Sequence, residues 1–156
     1  MENNINLKIA PNFELQGSDE KTHSLKDFLG KNIVLYFYPK DNTPGCTTEA
    51  LDFKLNIDKF NELNTVILGI SKDSIKSHCK FIDKHDLNFL LLSDEEKTVC
   101  ALYDVLKEKN MYGKKTIGIE RSTFIINKDG YIVNEYRKVK VPGHVEAVLE
   151  FIKQNL

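Results

Sequence analysis

Ile33-Val34-Leu35-Tyr36-Phe37-Tyr38 is an unbroken run of β-branched, apolar and aromatic residues, and it constrains the fold more than any other feature. A run this short and this rich in strand formers predicts a buried strand. Similar runs recur at Thr65 to Ile70, Ser122 to Asn127 and Tyr131 to Tyr136. Lys128-Asp129-Gly130 joins the last two and has the turn chemistry of a hairpin. Between the strands the apolar spacing becomes helical. From Pro44 to about Leu63 it is carried by Phe53, Ile57 and Phe60, and by Leu51 and Leu55. From Ser74 to His85 the stripe is Ile75, Cys79 and Ile82, and around Glu95 to Leu106 it is Val99, Leu102, Tyr103 and Leu106. The C-terminal stripe is Val145, Val148, Leu149 and Ile152. Strand–helix–strand alternation implies parallel pairing, and the hairpin adds antiparallel strands. The expectation is an α/β chain with a mixed central β-sheet flanked by helices on both faces. A thioredoxin-like sandwich fits that order, as do other three-layer α/β folds.

At 156 residues the chain suits one domain over 1–156, without repeats or linkers. With 22 basic and 23 acidic residues the formal net charge is −1, so no basic footprint for nucleic acid or anionic lipid is present. The first six residues show no basic stretch leading into an apolar run, and no segment approaches the roughly 20 apolar residues of a membrane span. The expected location is the cytoplasm.

There are three cysteines, Cys46, Cys79 and Cys100. An odd number at wide spacing is neither a disulfide framework nor a common zinc pattern, so no metal or cofactor is expected. Each is therefore a small buried residue or a reactive thiol. Cys46 stands apart because of its setting, immediately after the first buried strand and at the start of the longest helix. Sites in open α/β sheets gather at the carboxyl ends of strands. Thr43 suits the N-cap and Pro44 the first helical position, which puts Cys46 in the first turn. Amides there lack intrahelical partners, and the helix dipole adds partial positive charge. Both favour a thiolate, the nucleophilic form.

Spacing removes several rival chemistries. A Cys-x-x-Cys pair fails because the fourth position is Glu49, and a Cys-x5-Arg phosphatase loop fails because position 52 is aspartate. A papain-like hydrolase needs a histidine partner. His23, His78, His85 and His144 lie in no recognisable motif, and an isolated histidine is usually surface or core.

The run Pro39-x-x-x-Thr43-x-x-Cys46 matches the active-site signature of the peroxiredoxins. The longer stretch Tyr36 to Glu49 resembles the bacterioferritin comigratory protein, or peroxiredoxin Q, subfamily. So do Ser71-Lys72-Asp73-Ser74, Leu92-Ser93-Asp94 and the segment Tyr112-Gly113 to Gly118-Ile119-Glu120-Arg121-Ser122-Thr123-Phe124. The resemblance covers essentially the whole chain. It implies a thioredoxin-like fold and reduction of hydrogen peroxide or organic hydroperoxides, with Cys46 as the peroxidatic cysteine. By the same resemblance Thr43 hydrogen-bonds thiolate and peroxide, Pro39 shields the pocket, and Arg121 is the active-site arginine. Composition supports interest in Arg121, because only Arg121 and Arg137 stand beside twenty lysines. An arginine kept in so lysine-rich a chain suggests a need for its planar fork and permanent charge. Glu49, one turn after Cys46, either pairs with Arg121 or is a solvated helix-start carboxylate.

The chain departs from many members in one respect. A resolving cysteine five residues after the peroxidatic one is replaced by Leu51. Cys79 is the candidate replacement, although its place on the stripe with Ile75 and Ile82 is that of a core residue. A disulfide to it requires local unwinding, since the Cα atoms must come within about 7 Å. Cys100 reads as packing. Without a resolving cysteine, an external thiol reduces the Cys46 sulfenic acid directly. The leading reading is a monomeric peroxidase recycled by thioredoxin or a low-molecular-weight thiol. The alternatives are a peroxide-sensing regulator, oxidised at Cys46 without rapid turnover, and a catalytically silent module of the same fold.

Overall fold

The computed structural model describes residues 7–156; residues 1–6, on which the absence of a leader was read, lie outside the described residues. The chain runs through β1 (Lys8–Ile9), β2 (Glu14–Gly17), β3 (Thr22–Ser24), a 3-10 turn (Leu25–Phe28), β4 (Asn32–Phe37), α1 (Pro44–Glu62), β5 (Thr65–Ser71) and α2 (Ile75–His85). It continues through β6 (Leu90–Ser93), α3 (Thr98–Leu102), β7 (Leu106–Met111), β8 (Lys114–Ile119), β9 (Ser122–Ile126), β10 (Tyr131–Tyr136) and α4 (His144–Asn155). Eight strands form one mixed sheet in the order β1-β10-β9-β4-β5-β6-β2-β3, and β7-β8 form a separate ribbon. β4 pairs with β5 in parallel, and β5 with β6, while β9 joins β4 antiparallel. Among the described residues, no helix is long and apolar enough to cross a membrane.

β4 explains the two-sided architecture. Successive side chains of a strand point to opposite faces, and every residue of β4 is buried. Ile33, Leu35 and Phe37 enter one core with Phe13, Leu25, Val99, Cys100 and Phe124. Val34, Tyr36 and Tyr38 enter the other with Cys46, Phe53, Phe81, Val148 and Ile152. The three longer helices thus cover one face, while α3 and the 3-10 turn cover the other. This is the thioredoxin-like α/β arrangement with helices on both faces.

Three helical expectations change. The helix expected around Glu95 to Leu106 is only Thr98–Leu102. The Cys100 amide is taken by Asp94 Oδ2 at 2.7 Å, and Asp104 turns the chain through a positive φ of 56°. Leu106 then begins β7, and Leu102 is exposed. In α2 the buried residues are His78 and Phe81, whereas Ile75, Cys79 and Ile82 are only half-buried, so the stripe is displaced by one position. In α1, Phe53 and Phe60 are buried, but Leu55 is exposed.

Candidate active site

The loop between β4 and α1 places Cys46. Thr43 takes the N-cap with extended backbone angles (φ −86°, ψ 153°) and Pro44 follows in the first turn. The Thr43 side chain makes no capping bond; its hydroxyl donates to the Lys40 carbonyl at 2.8 Å. Its oxygen lone pairs are therefore what it offers a further partner, and a donation to sulfur requires the hydroxyl to rotate away from Lys40. Pro39 is half-buried in the loop two residues past the end of β4, and Cys46 is buried.

Arg121, just before β9, reaches across to α1. Its Nη2 donates to Cys46 Sγ at 3.3 Å and its Nη1 donates to Glu49 Oε1 at 2.7 Å. The guanidinium thereby joins two residues one helical turn apart, the spacing at which side chains share a helix face. Room for it comes from Gly45, where a Cβ would lie 3.1 Å from Nη2. Burial opposes the guanidinium charge, but Glu49 and Cys46 outweigh it and push the Arg121 pKa up. The sulfur thus faces a permanent cation and an N–H donor, the surroundings a sulfur anion needs.

Glu49 is fully buried, and burial pushes its carboxyl up to about 7 against the opposing pull of Arg121. Its second oxygen, Oε2, is buried without a hydrogen-bond partner among the described residues, as is the Tyr36 hydroxyl. Burial, then the charges of Glu49 and Cys46, raise the Tyr36 pKa. His144, at the start of α4, meets the Thr123 hydroxyl at 2.8 Å through Nε2; burial and the nearby Arg121 charge push it down to about 4.

Cys46, Glu49 and Arg121 are therefore brought together, with Thr43 and Pro39 on the adjoining loop. Cys79 and Cys100 are not. All three cysteines are free. Cys100 belongs to the core on the opposite face of the sheet from Cys46, and burial and Asp94 push its thiol pKa up. Cys79 is half-buried, with Sγ donating to the Ser18 carbonyl at 3.4 Å, and burial, Glu20 and Asp83 raise its pKa.

Sequence reasoning missed a buried polar cluster next to the loop. Asp41 accepts from Tyr38 at 2.6 Å and from Ser77 at 2.8 Å, and lies 2.8 Å from His78 Nδ1. No motif marks it, because the partners lie on separate elements and His78 reads as polar in a hydrophobic pattern.

Residues 7–135 match the AhpC/TSA family. The peroxiredoxin Bcp of Bacillus subtilis is 53% identical over 144 residues, 92% of each chain. A structure of Xanthomonas campestris peroxiredoxin Q superposes with a TM-score of 0.88 at 48% identity, covering 92% of this chain and 90% of that one. A structure of the bacterioferritin comigratory protein of the same organism, described in terms of its alkyl peroxide reduction activity, has a TM-score of 0.88 at 47% identity, covering 91% of this chain and 90% of that one.

Proposed function

The chain belongs to the AhpC/TSA family and, within it, to the bacterioferritin comigratory protein (peroxiredoxin Q) peroxiredoxins, and on that premise we propose that Cys46 is its peroxidatic nucleophile. Peroxiredoxins are thiol peroxidases, so this chain reduces a peroxide at the expense of a thiol. The observation that carries the assignment to Cys46 is the 3.3 Å contact of its sulfur with Arg121 Nη2.

The Cys46 thiolate attacks one peroxide oxygen. A sulfur–oxygen bond forms, the O–O bond breaks, and the departing oxygen takes a proton to leave as water or an alcohol. Cys46 is left as a sulfenic acid. Negative charge grows on the departing oxygen, so donors fixed around it stabilise the transition state more than the ground state. Arg121 and the free amides of the first α1 turn supply them, and Thr43 joins them once its hydroxyl turns from Lys40. Glu49 positions Arg121, and Pro39 shields the pocket from water. Hydrogen peroxide and organic hydroperoxides both fit this chemistry, since the attack needs only the O–O bond.

Cys79 is the resolving cysteine in this reading. Its half-exposed position on α2 and the confinement of Cys100 to the far core support it. Thioredoxin or a low-molecular-weight thiol then reduces the disulfide. The chain acts as one domain, a monomer in the cytoplasm, without nucleic-acid or membrane partners. Peroxide consumption with a thiol reductant, in wild type and Cys46→Ser, tests the reading: multiple turnovers lost in the variant support it. Oxidation of Cys46 without turnover would support the regulator instead, and turnover surviving in Cys46→Ser would sink the assignment.

A further inference from the structure

The cluster around Asp41 is unused by the peroxide chemistry, and among the described residues the Cys46 sulfur is hydrogen-bonded to Arg121 and not to any group of the cluster. Asp41 is 5% and His78 0% exposed. Asp41 lies in the loop that leads into α1, five positions before Cys46, and His78 immediately precedes Cys79. His78 Nε2 lies 3.0 Å from the Leu92 carbonyl. A carbonyl only accepts, so Nε2 carries a hydrogen, and the 2.8 Å bond between Nδ1 and Asp41 Oδ2 needs one further hydrogen, held between those two atoms. Ser77 donates to the same Asp41 oxygen, and Tyr38 to the other. A second tie runs through the backbone. The Asp41 amide donates to Asp73 Oδ2 at 2.8 Å, which the Ser71 hydroxyl also holds, at 2.7 Å. The loop that seats Cys46 is therefore fastened to the segment that opens α2 at two points.

Closing a disulfide between Cys46 and Cys79 takes the Cys79 sulfur away from Ser18 and the Cys46 sulfur away from Arg121. Cys79 points to Ser18, and the Cα atoms of a disulfide stand within about 7 Å. In that step the Cys79 sulfur attacks Cys46 Sγ, an S–S bond forms and the S–O bond of the sulfenic acid breaks. The hydroxyl leaves with the Cys79 proton as water. Any unwinding of α2 near Cys79 pulls His78 from Asp41 and loosens the loop that presents Cys46.

We propose that His78 is a positioning residue whose bond to Asp41 couples the seating of Cys46 to the release of Cys79, so that one contact favours peroxide attack and opposes disulfide closure. The inference rests on Cys79 being the resolving cysteine. Buried bonds to charged groups are expensive to leave unmade, so the Asp41 contact weighs on both steps.

Two conservative variants separate the tie from simple packing. In His78→Asn the amide reaches the place of Nδ1 and keeps Asp41 but loses Leu92. In His78→Gln it reaches the place of Nε2 and keeps Leu92 but abandons Asp41. The chain has no tryptophan, so quenched-flow intact mass is the readout after one equivalent of hydrogen peroxide. The gain of oxygen at Cys46 reports attack, and the later loss of two hydrogens relative to reduced protein reports closure. His78→Gln should attack about tenfold more slowly and close about tenfold faster, with His78→Asn near wild type. Wild-type rates in His78→Gln, both steps moving in the same direction, or equal behaviour of the two variants would overturn the proposal. Should His78→Gln not fold, the half-buried Ser77→Ala must show the same opposed shifts at smaller size, and their absence overturns it. If wild type never loses two hydrogens, the resolving role of Cys79 fails instead. The tie is then judged on attack alone, upheld by slowing in His78→Gln but not in His78→Asn and overturned otherwise.

Discussion

Cys46 Sγ lies 3.3 Å from Arg121 Nη2, although the two residues are 75 positions apart in the chain. The same guanidinium holds Glu49 at 2.7 Å through its other nitrogen. A lysine at 121 would keep a charge, but its compact ammonium lacks the planar fork that sets two separate nitrogens on the two partners. Arg121→Lys should therefore slow Cys46 oxidation by about tenfold to a hundredfold, and Arg121→Gln by about a hundredfold to a thousandfold, the range found for losing one oxyanion donor. Competition for hydrogen peroxide against a second peroxidase measures it. A wild-type rate in Arg121→Lys would mean that charge alone suffices.

Gly45 tests the same contact from the side of α1. An added methyl would sit 3.1 Å from Arg121 Nη2, closer than ordinary van der Waals contact. Alanine also favours a helix over glycine, so Gly45→Ala should hold or gain up to about 1 kcal/mol in stability while peroxide attack slows about tenfold. Urea denaturation beside the oxidation rate separates the two effects. An unchanged rate would show that Arg121 has room to step aside.

The sequence carried the fold where burial is two-sided or strictly periodic. Ile33 to Tyr38 read as a strand because both faces are covered, and Val145 to Ile152 read as a helix because one stripe is. Leu106–Met111 and Lys114–Ile119 escaped notice because they pair only with each other and carry mainly lysines and other polar residues. The α2 stripe was misplaced by one position for a different reason. His78 is buried, but its burial rests on the hydrogen-bond partners of both ring nitrogens, which hydropathy does not register. The site was legible where its residues share the segment Pro39 to Glu49, and Arg121 through family resemblance and the scarcity of arginine. Asp41 and His78 were silent because their relationship exists only in three dimensions.

Glu49 gives a pH dependence of stability with a definite sign. Its carboxyl is raised from 4.5 to about 7 in the folded chain, first by burial. The folded protein therefore holds a proton that the unfolded chain has released. That contribution is complete below about 4.5 and is lost as pH rises through about 7, amounting to at most about 3 kcal/mol. Glu49→Gln lacks it. Urea denaturation of both proteins across this window should show wild type losing stability relative to the variant as pH rises. A constant difference would mean that Arg121 keeps the carboxyl ionised throughout.

The fate of the sulfenic acid depends on which thiol can reach it. Cys100 lies in the core on the far side of the sheet and is fully buried, so its removal should leave the reaction at Cys46 unchanged. Cys79 sits half-exposed on α2, the helix whose Phe81 and Ile82 pack in the same core as Cys46. One equivalent of hydrogen peroxide followed by dimedone should leave wild type and Cys100→Ala two hydrogens lighter and free of adduct. Cys79→Ala, with no internal thiol able to close on the sulfenic acid, should instead carry one dimedone at Cys46. An adduct on Cys46 in wild type as well would assign the second step to an external thiol. Loss of the disulfide in Cys100→Ala but not in Cys79→Ala would require the sheet itself to open, which the burial of β4 on both faces opposes.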